Sequence, residues 1–231
     1  MVIIKVLEIS NLTKKIGKRK ILNNINVDIH KGEIVGLVGP NGAGKTTLIK
    51  TIVGLYKPTK GQILLEGIDV NHNFETAMQK VGVIIETPDM YKSLSGYKNL
   101  KLFLMLNGIK DDKRIKNVTK IVKLENRIQD KVKTYSLGMR QRLGIAQAMI
   151  KDPILLLLDE PINGLDPNGI KDLREIIKYL NEKFKMTILI SSHILKELEE
   201  IATRIIMIDE GTIVEDVSMK DLKEKNRTLE T

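Results

Sequence analysis

The 231-residue sequence predicts an α/β fold, with a buried parallel sheet, an antiparallel β start and a helical block inserted between two strands. Three observations lead there. Apolar runs at 34–38 and 82–85 read as buried strands, 187–190 as a further strand, and the continuous run 154–158 as one in a parallel sheet covered on both faces. Residues 3–29 alternate partially about a basic turn at Gly17, as a hairpin would. From Met90 to about residue 150 strands give way to helical spacing, in Leu100, Phe103, Leu104 and Leu106, then Ile115, Val118, Ile121, Val122 and Leu124.

In chain order, Val6, Ile9 and Leu12 precede the Gly17 turn, and Ile21, Ile25, Val27 and Ile29 follow it. The turn Lys31-Gly32 leads into strand 34–38, and helix 46–53 carries Leu48, Ile49 and Ile52 toward a core. Gly54 and Pro58 break the chain before a strand at 61–65 that ends by Gly67. A short helix at 74–80 and strand 82–85 follow, stopping at Glu86-Thr87-Pro88. Residues 108–112 separate two helices, with Asp111 or Asp112 available as an N-cap. A further helix runs to Ile150, and after strand 154–158 come helix 167–182, strand 187–190 and a helix near 195–201. Residues 205–208 and 212–214 form a closing hairpin through Glu210-Gly211, and the polar tail past Lys220 reads as frayed. With no repeat or low-complexity linker, residues 1–231 form one domain whose helical subdomain spans about 89–150.

Composition narrows the setting. The absence of Cys excludes a disulfide framework and thiolate metal sites, and suits a reducing cytosol. Met1-Val2-Ile3-Ile4-Lys5 lacks the segments of a signal peptide, so none is expected. Fully apolar runs fall far short of the roughly twenty residues of a spanning helix, which predicts a soluble chain. The net charge of +9 suits nucleic acid, an anionic membrane surface or plain solvation. Aromatics at 3%, without Trp, leave few stacking platforms and argue against single-stranded nucleic acid.

The chemistry concentrates at strand ends. Gly39-Pro40-Asn41-Gly42-Ala43-Gly44-Lys45-Thr46-Thr47 spells G-x-x-x-x-G-K-T between a strand and a helix, where such a loop cradles phosphate. Its glycines let N–H groups turn inward, Lys45 supplies charge to the β- and γ-phosphates, and the Thr46 hydroxyl is placed to hold Mg²⁺. This predicts a P-loop NTPase core. Strand 154–158 ends in Asp159-Glu160: Asp159 suits a Mg²⁺ role, and Glu160 is the candidate general base for the water attacking the γ-phosphate. His193 follows strand 187–190, which is expected to lie next to the strand carrying Asp159-Glu160 and so brings the imidazole near the γ-phosphate, since ligands sit at strand C-termini. Tyr135-Ser136-Leu137-Gly138-Met139-Arg140-Gln141-Arg142 opens a helix with Ser136 as N-cap, an anion site in waiting.

The phosphate loop, the serine-glycine helix start, Leu-Leu-Leu-Asp-Glu-Pro, Asn163-Gly164-Leu165-Asp166-Pro167 and the strand-end His193 occur in that order across nearly the whole chain. Together they resemble the nucleotide-binding subunit of an ABC transporter. The resemblance implies ATP and Mg²⁺ as cofactors, ATP hydrolysis, and a head-to-tail homodimer, or heterodimer with a related ATPase, formed on ATP binding. Each phosphate loop would face Ser136 and Gly138 of the opposite subunit, with Asp166 at the seam, Glu160 as base and His193 as γ-phosphate sensor. It further implies an integral membrane permease docked on the helical subdomain, and a peripheral location at the cytoplasmic face of the cell membrane.

Three departures refine that resemblance. Glu86 stands where the family carries Gln, which substitutes a hard, charged Mg²⁺ ligand for a neutral amide oxygen. Leu137 replaces the first signature glycine, while Gly138 keeps the second. Ile16 replaces the aromatic residue that stacks on adenine, which implies weaker base discrimination. Glu86, with the Tyr-Ser-Leu-Gly-Met-Arg-Gln-Arg segment, is similar to the bacitracin-export and lantibiotic-immunity branch. The expected role is powering export of, or immunity to, a peptide antibiotic. The alternatives are an exporter of another drug or lipid, and a soluble relative acting on ribosomes or nucleic acid. That last class would explain the charge but tends to carry two cassettes or a long coiled coil, and no sustained heptads occur here.

Overall fold

The computed structural model describes residues 4–229, so Met1–Ile3, on which the signal-peptide expectation largely rests, lie outside it. β1 (Lys5–Ile16) and β2 (Arg19–His30) form the antiparallel hairpin, with Ile9 opposite Val27 and Ile16 opposite Arg19. Register slips around Leu12, with Asn11 and Asn24 at positive φ, are why the alternation in the sequence is only partial. β3 (Ile34–Val38), every residue buried, leads into α1 (Lys45–Ile52). β4 (Lys60–Leu65), β5 (Ile68–Asp69), α2 (Phe74–Gln79) and β6 (Val81–Ile84) follow.

α3 (Gly96–Leu106), α4 (Lys113–Ile121) and α5 (Leu137–Met149) come between β6 and β7 (Leu155–Leu158). Asp111 accepts the Lys113 N–H at the start of α4, while Asp112 pairs with Lys101 instead of capping. Then come α6 (Pro167–Phe184), β8 (Thr187–Ser192), α7 (Leu195–Leu198), β9 (Arg204–Asp209), β10 (Thr212–Ser218) and α8 (Met219–Leu229). The last element corrects the frayed tail. Met219 and Leu222 are buried, and Ser218 Oγ accepts the Asp221 N–H and so supports the first turn. Two apolar contacts suffice to anchor a segment that reads as polar.

The antiparallel sheet has the order β2-β1-β4-β5 and the second sheet the order β10-β9-β3-β8-β7-β6. Strands β9, β3, β8, β7 and β6 run parallel, with β10 antiparallel at one edge. The pleat divides alternate residues between two cores. Leu156, Leu158, Ile188 and Ile190 pack with Leu143 of α5 and Ile176 and Leu180 of α6. Leu155, Leu157, Leu189, Val35 and Leu37 face α1 and the antiparallel sheet through Leu48, Ile49, Leu7 and Ile63. The inner strands β3 and β7 therefore carry unbroken apolar runs, while Val83 of β6, expected to be buried, is 38% exposed because β6 is an edge strand. The C-terminal ends of the parallel strands lie side by side. That alignment positions the site.

Candidate nucleotide site

The loop between β3 and α1 approaches its neighbours closely. A Cβ on Gly39 would lie 2.1 Å from Ile208 O, so only glycine fits. Gly42 and Gly44 have φ of 86° and 110°, in the left-handed region that glycine enters freely. No side chain caps α1, which leaves its first N–H groups for an anion. Lys45, 5% exposed, folds back on the loop, and its Nζ donates to Gly39 O at 2.7 Å and Pro40 O at 3.2 Å.

β8 pairs with β7 in register Leu158–Ile190, so the residues past the two strands face each other. The Lys45 ammonium lies 3.2 Å from Glu160 Oε1, and His193 Nδ1 lies 2.8 Å from Glu160 Oε2. One carboxylate therefore bridges the phosphate-loop lysine and the strand-end histidine. Glu160 has φ 47°, so a left-handed turn, and not strand alternation alone, separates its direction from that of Asp159. Asp159 is 1% exposed; its Oδ1 accepts from Ser191 Oγ at 2.7 Å, and its Oδ2 has no hydrogen-bond partner among the described residues. A buried orphan carboxylate oxygen is what a hard cation takes up.

Ser191 was missed by reasoning from the sequence. Its hydroxyl also accepts the Glu160 N–H at 2.9 Å, so a single side chain holds both acids in place. The available signal was a polar residue completing a buried strand just before His193. A cavity of about 210 Å³ lies over the phosphate loop and Glu160, lined by Ile21, Asn41, Gly42, Gly44, Lys45, Thr46, Thr47, Glu160 and Asn163. Asp159 and His193 adjoin it through Ser191 and Glu160 and are not part of its lining. A larger open cavity of about 920 Å³, between α4 and α6, reaches Pro153 and Met186 at the opposite ends of β7 and β8, away from these acids.

The remaining expected residues lie apart from that cavity. Ser136 Oγ caps α5 by accepting the Met139 N–H at 3.2 Å, and Asp166 caps α6 by accepting the Gly169 N–H at 3.3 Å. A Cβ on Gly138 would lie 3.7 Å from Gly169 Cα, so Ser136, Gly138 and Asp166 form one surface patch. Below it Tyr135 is buried, and its OH donates to Arg127 O at 2.7 Å; burial raises its pKa above the ordinary tyrosine value. Ile16 is 47% exposed at the end of β1 and does not line the cavity, whereas Ile21 does. Glu86, at φ 61°, follows β6 beside β7, but its carboxylate is 71% exposed and held by Lys50 Nζ at 3.1 Å. Among the described residues no three His, Cys, Asp or Glu side chains gather as a metal cage. Mg²⁺ bound largely through phosphates and water needs none.

Residues 22–163 match the family model described as ABC transporter. The lantibiotic transport ATP-binding protein SrtF of Streptococcus pyogenes is 49% identical over 211 residues, covering 90% of this chain and 89% of that protein. The bacitracin transport ATP-binding protein BcrA of Enterococcus faecalis is 44% identical over 227 residues, covering 98% of this chain and 74% of that protein. A dimeric ATP-binding cassette, solved in a post-hydrolysis state with ADP and Pi, superposes with TM-score 0.81 at 26% identity, covering 92% of this chain and 98% of that one. The chain belongs to the ABC transporter family, as its ATP-binding and ATP-hydrolysing subunit.

Proposed function

We propose that residues 1–231 work as one cassette that powers export of, or immunity to, a peptide antibiotic of the bacitracin or lantibiotic kind. Glu160, held between Lys45 and His193, is the observation that carries the hydrolytic reading. Gly39 to Thr47 bind the triphosphate, with the base against Ile16. Lys45 transfers from Glu160 to the β- and γ-phosphates when ATP enters, which frees the carboxylate. Glu160 then takes the proton of the water whose oxygen attacks the γ-phosphorus as the bond to the β-phosphate oxygen breaks. His193 orients Glu160 and donates to the γ-phosphate. Thr46 and Asp159 would hold Mg²⁺, with Glu86, now paired to Lys50, as a third oxygen donor. Mg²⁺, when bound, neutralises charge on the phosphates. The unpartnered Asp159 Oδ2 supports this fit.

Ser136, Gly138 and Asp166 complete the site of the opposite subunit in a head-to-tail dimer, as a homodimer or with a related ATPase. Their separation from the phosphate cavity, and the dimeric form of a similar cassette, support this assembly. The helical subdomain, about residues 89–150, meets an integral membrane permease at the cytoplasmic face of the membrane. Among the described residues no helix is long and apolar enough to cross a membrane itself. The identity to SrtF and BcrA, 49% and 44%, supports the cargo class. Affinity purification of the tagged chain from native membranes in mild detergent tests the partner. A polytopic membrane protein in the eluate is expected, and its cavity can then be challenged with peptide antibiotics. Ribosomes or nucleic acid co-purifying in a salt-sensitive manner would contradict the reading.

A further inference from the structure

The hairpin of α3 and α4 contributes no residue to the lining of the phosphate cavity or to the Ser136, Gly138 and Asp166 patch. Met105 and Leu106, in the last turn of α3, are 64% and 76% exposed. α4 contains no acidic residue; Ile115, Val118 and Thr119 are buried, and Lys113, Lys116 and Lys120 are exposed. Lys101 pairs with Asp112, so that face of α3 abuts the start of α4. Met105 lies one turn beyond Lys101, toward the connection, where Lys113 directly follows Asp112, and Lys116 shares with Lys113 the exposed face of α4 opposite Ile115 and Val118. Lys120 extends it by another turn.

These cations are uncompensated. Arg114 and Lys123 on the flanks are tied to Asp152 and to Asp172 and Glu175. The side-chain ammonium groups of Lys110, Lys113, Lys116 and Lys120 have no hydrogen-bond or ion-pair partner among the described residues. Exposed apolar side chains beside unpaired lysines match an anionic bilayer, where the first enter the headgroup boundary and the second meet acidic headgroups. We propose that the α3–α4 tip, through Met105, Leu106, Lys113, Lys116 and Lys120, binds the anionic surface of a lipid bilayer directly. This deepens the membrane location proposed above by adding a contact with lipid to the one with the permease. Nucleic acid would attract the same lysines but gains nothing from Met105 and Leu106, which favours lipid.

The test is sedimentation of the nucleotide-free chain with vesicles of phosphatidylcholine plus phosphatidylglycerol, and of phosphatidylcholine alone. Binding is expected only to the anionic vesicles and to fall with salt. The triple variant Lys113→Gln, Lys116→Gln, Lys120→Gln is expected to bind roughly tenfold more weakly or worse, and Met105→Ser with Leu106→Ser also to bind more weakly. Lys171→Gln, Lys178→Gln, Lys183→Gln on α6 removes the same charge and is expected to lose far less. Equal losses in the two triple variants, indifference to Met105 and Leu106, or no vesicle binding overturns the proposal. ATP binding by the same variants is expected to be unchanged, so failure here is separable from failure of the ATPase reading.

Discussion

Glu160 Oε2 and His193 Nδ1 lie 2.8 Å apart across the ends of two adjacent parallel strands. The pair fixes the direction of the carboxylate while its other oxygen faces Lys45. His193→Ala should therefore weaken ATP binding only by the value of one hydrogen bond, roughly 1–2 kcal/mol, and lower the hydrolysis rate by roughly tenfold or more, because a base released from its partner loses alignment. Steady-state kinetics with a separate nucleotide-binding assay checks the split. A variant with parental turnover would remove His193 from the mechanism.

Gly144 of α5 sits against the loop that carries Glu86. A Cβ there would lie 2.4 Å from Pro88 Cγ and 2.9 Å from Pro88 Cβ. Gly144→Ala is expected to destabilise the fold by about 1–3 kcal/mol through overpacking. Thermal unfolding reads the effect as a lower Tm, and an unchanged Tm would mean that the loop yields freely.

Tyr135 predicts a pH dependence. Burial holds its pKa above the ordinary value of 10.0. A folded value above the unfolded one contributes stability that is fully present below pH 10 and is lost as the pH rises through the folded value. Tyr135→Phe should cost about 1 kcal/mol at neutral pH, from its bond to Arg127 O. It should also lose less further stability than the parent above about pH 10. Urea unfolding at neutral and alkaline pH checks both, and an identical alkaline loss would contradict the assignment.

Much of this was legible in the chain, for reasons that differ between elements. The strand ends could be located because strands buried on both faces read as unbroken apolar runs that stop where chemistry begins, as at Leu158-Asp159-Glu160. The pairing of β7 with β8, expected from strand-end logic, brings His193 to Glu160. The bridge from Lys45 to Glu160 was not legible, because it depends on a left-handed residue that no periodicity announces. Ser191 escaped notice because a hydroxyl at a buried strand end looks like ordinary strand termination. Glu86 could be placed after β6, but its ion pair with Lys50 is a contact between distant parts of the chain. α8 looked polar because only Met219 and Leu222 of its first turns are buried.

The most direct test of the account is Glu160→Gln, compared with the parent and with Lys45→Ala. The account predicts that Glu160→Gln binds ATP, sediments as a dimer with ATP but not ADP, and hydrolyses roughly 10²–10⁴-fold more slowly. Lys45→Ala should lose tight ATP binding and stay monomeric. Turnover by Glu160→Gln close to that of the parent would show that another group takes the proton, and would contradict the central claim.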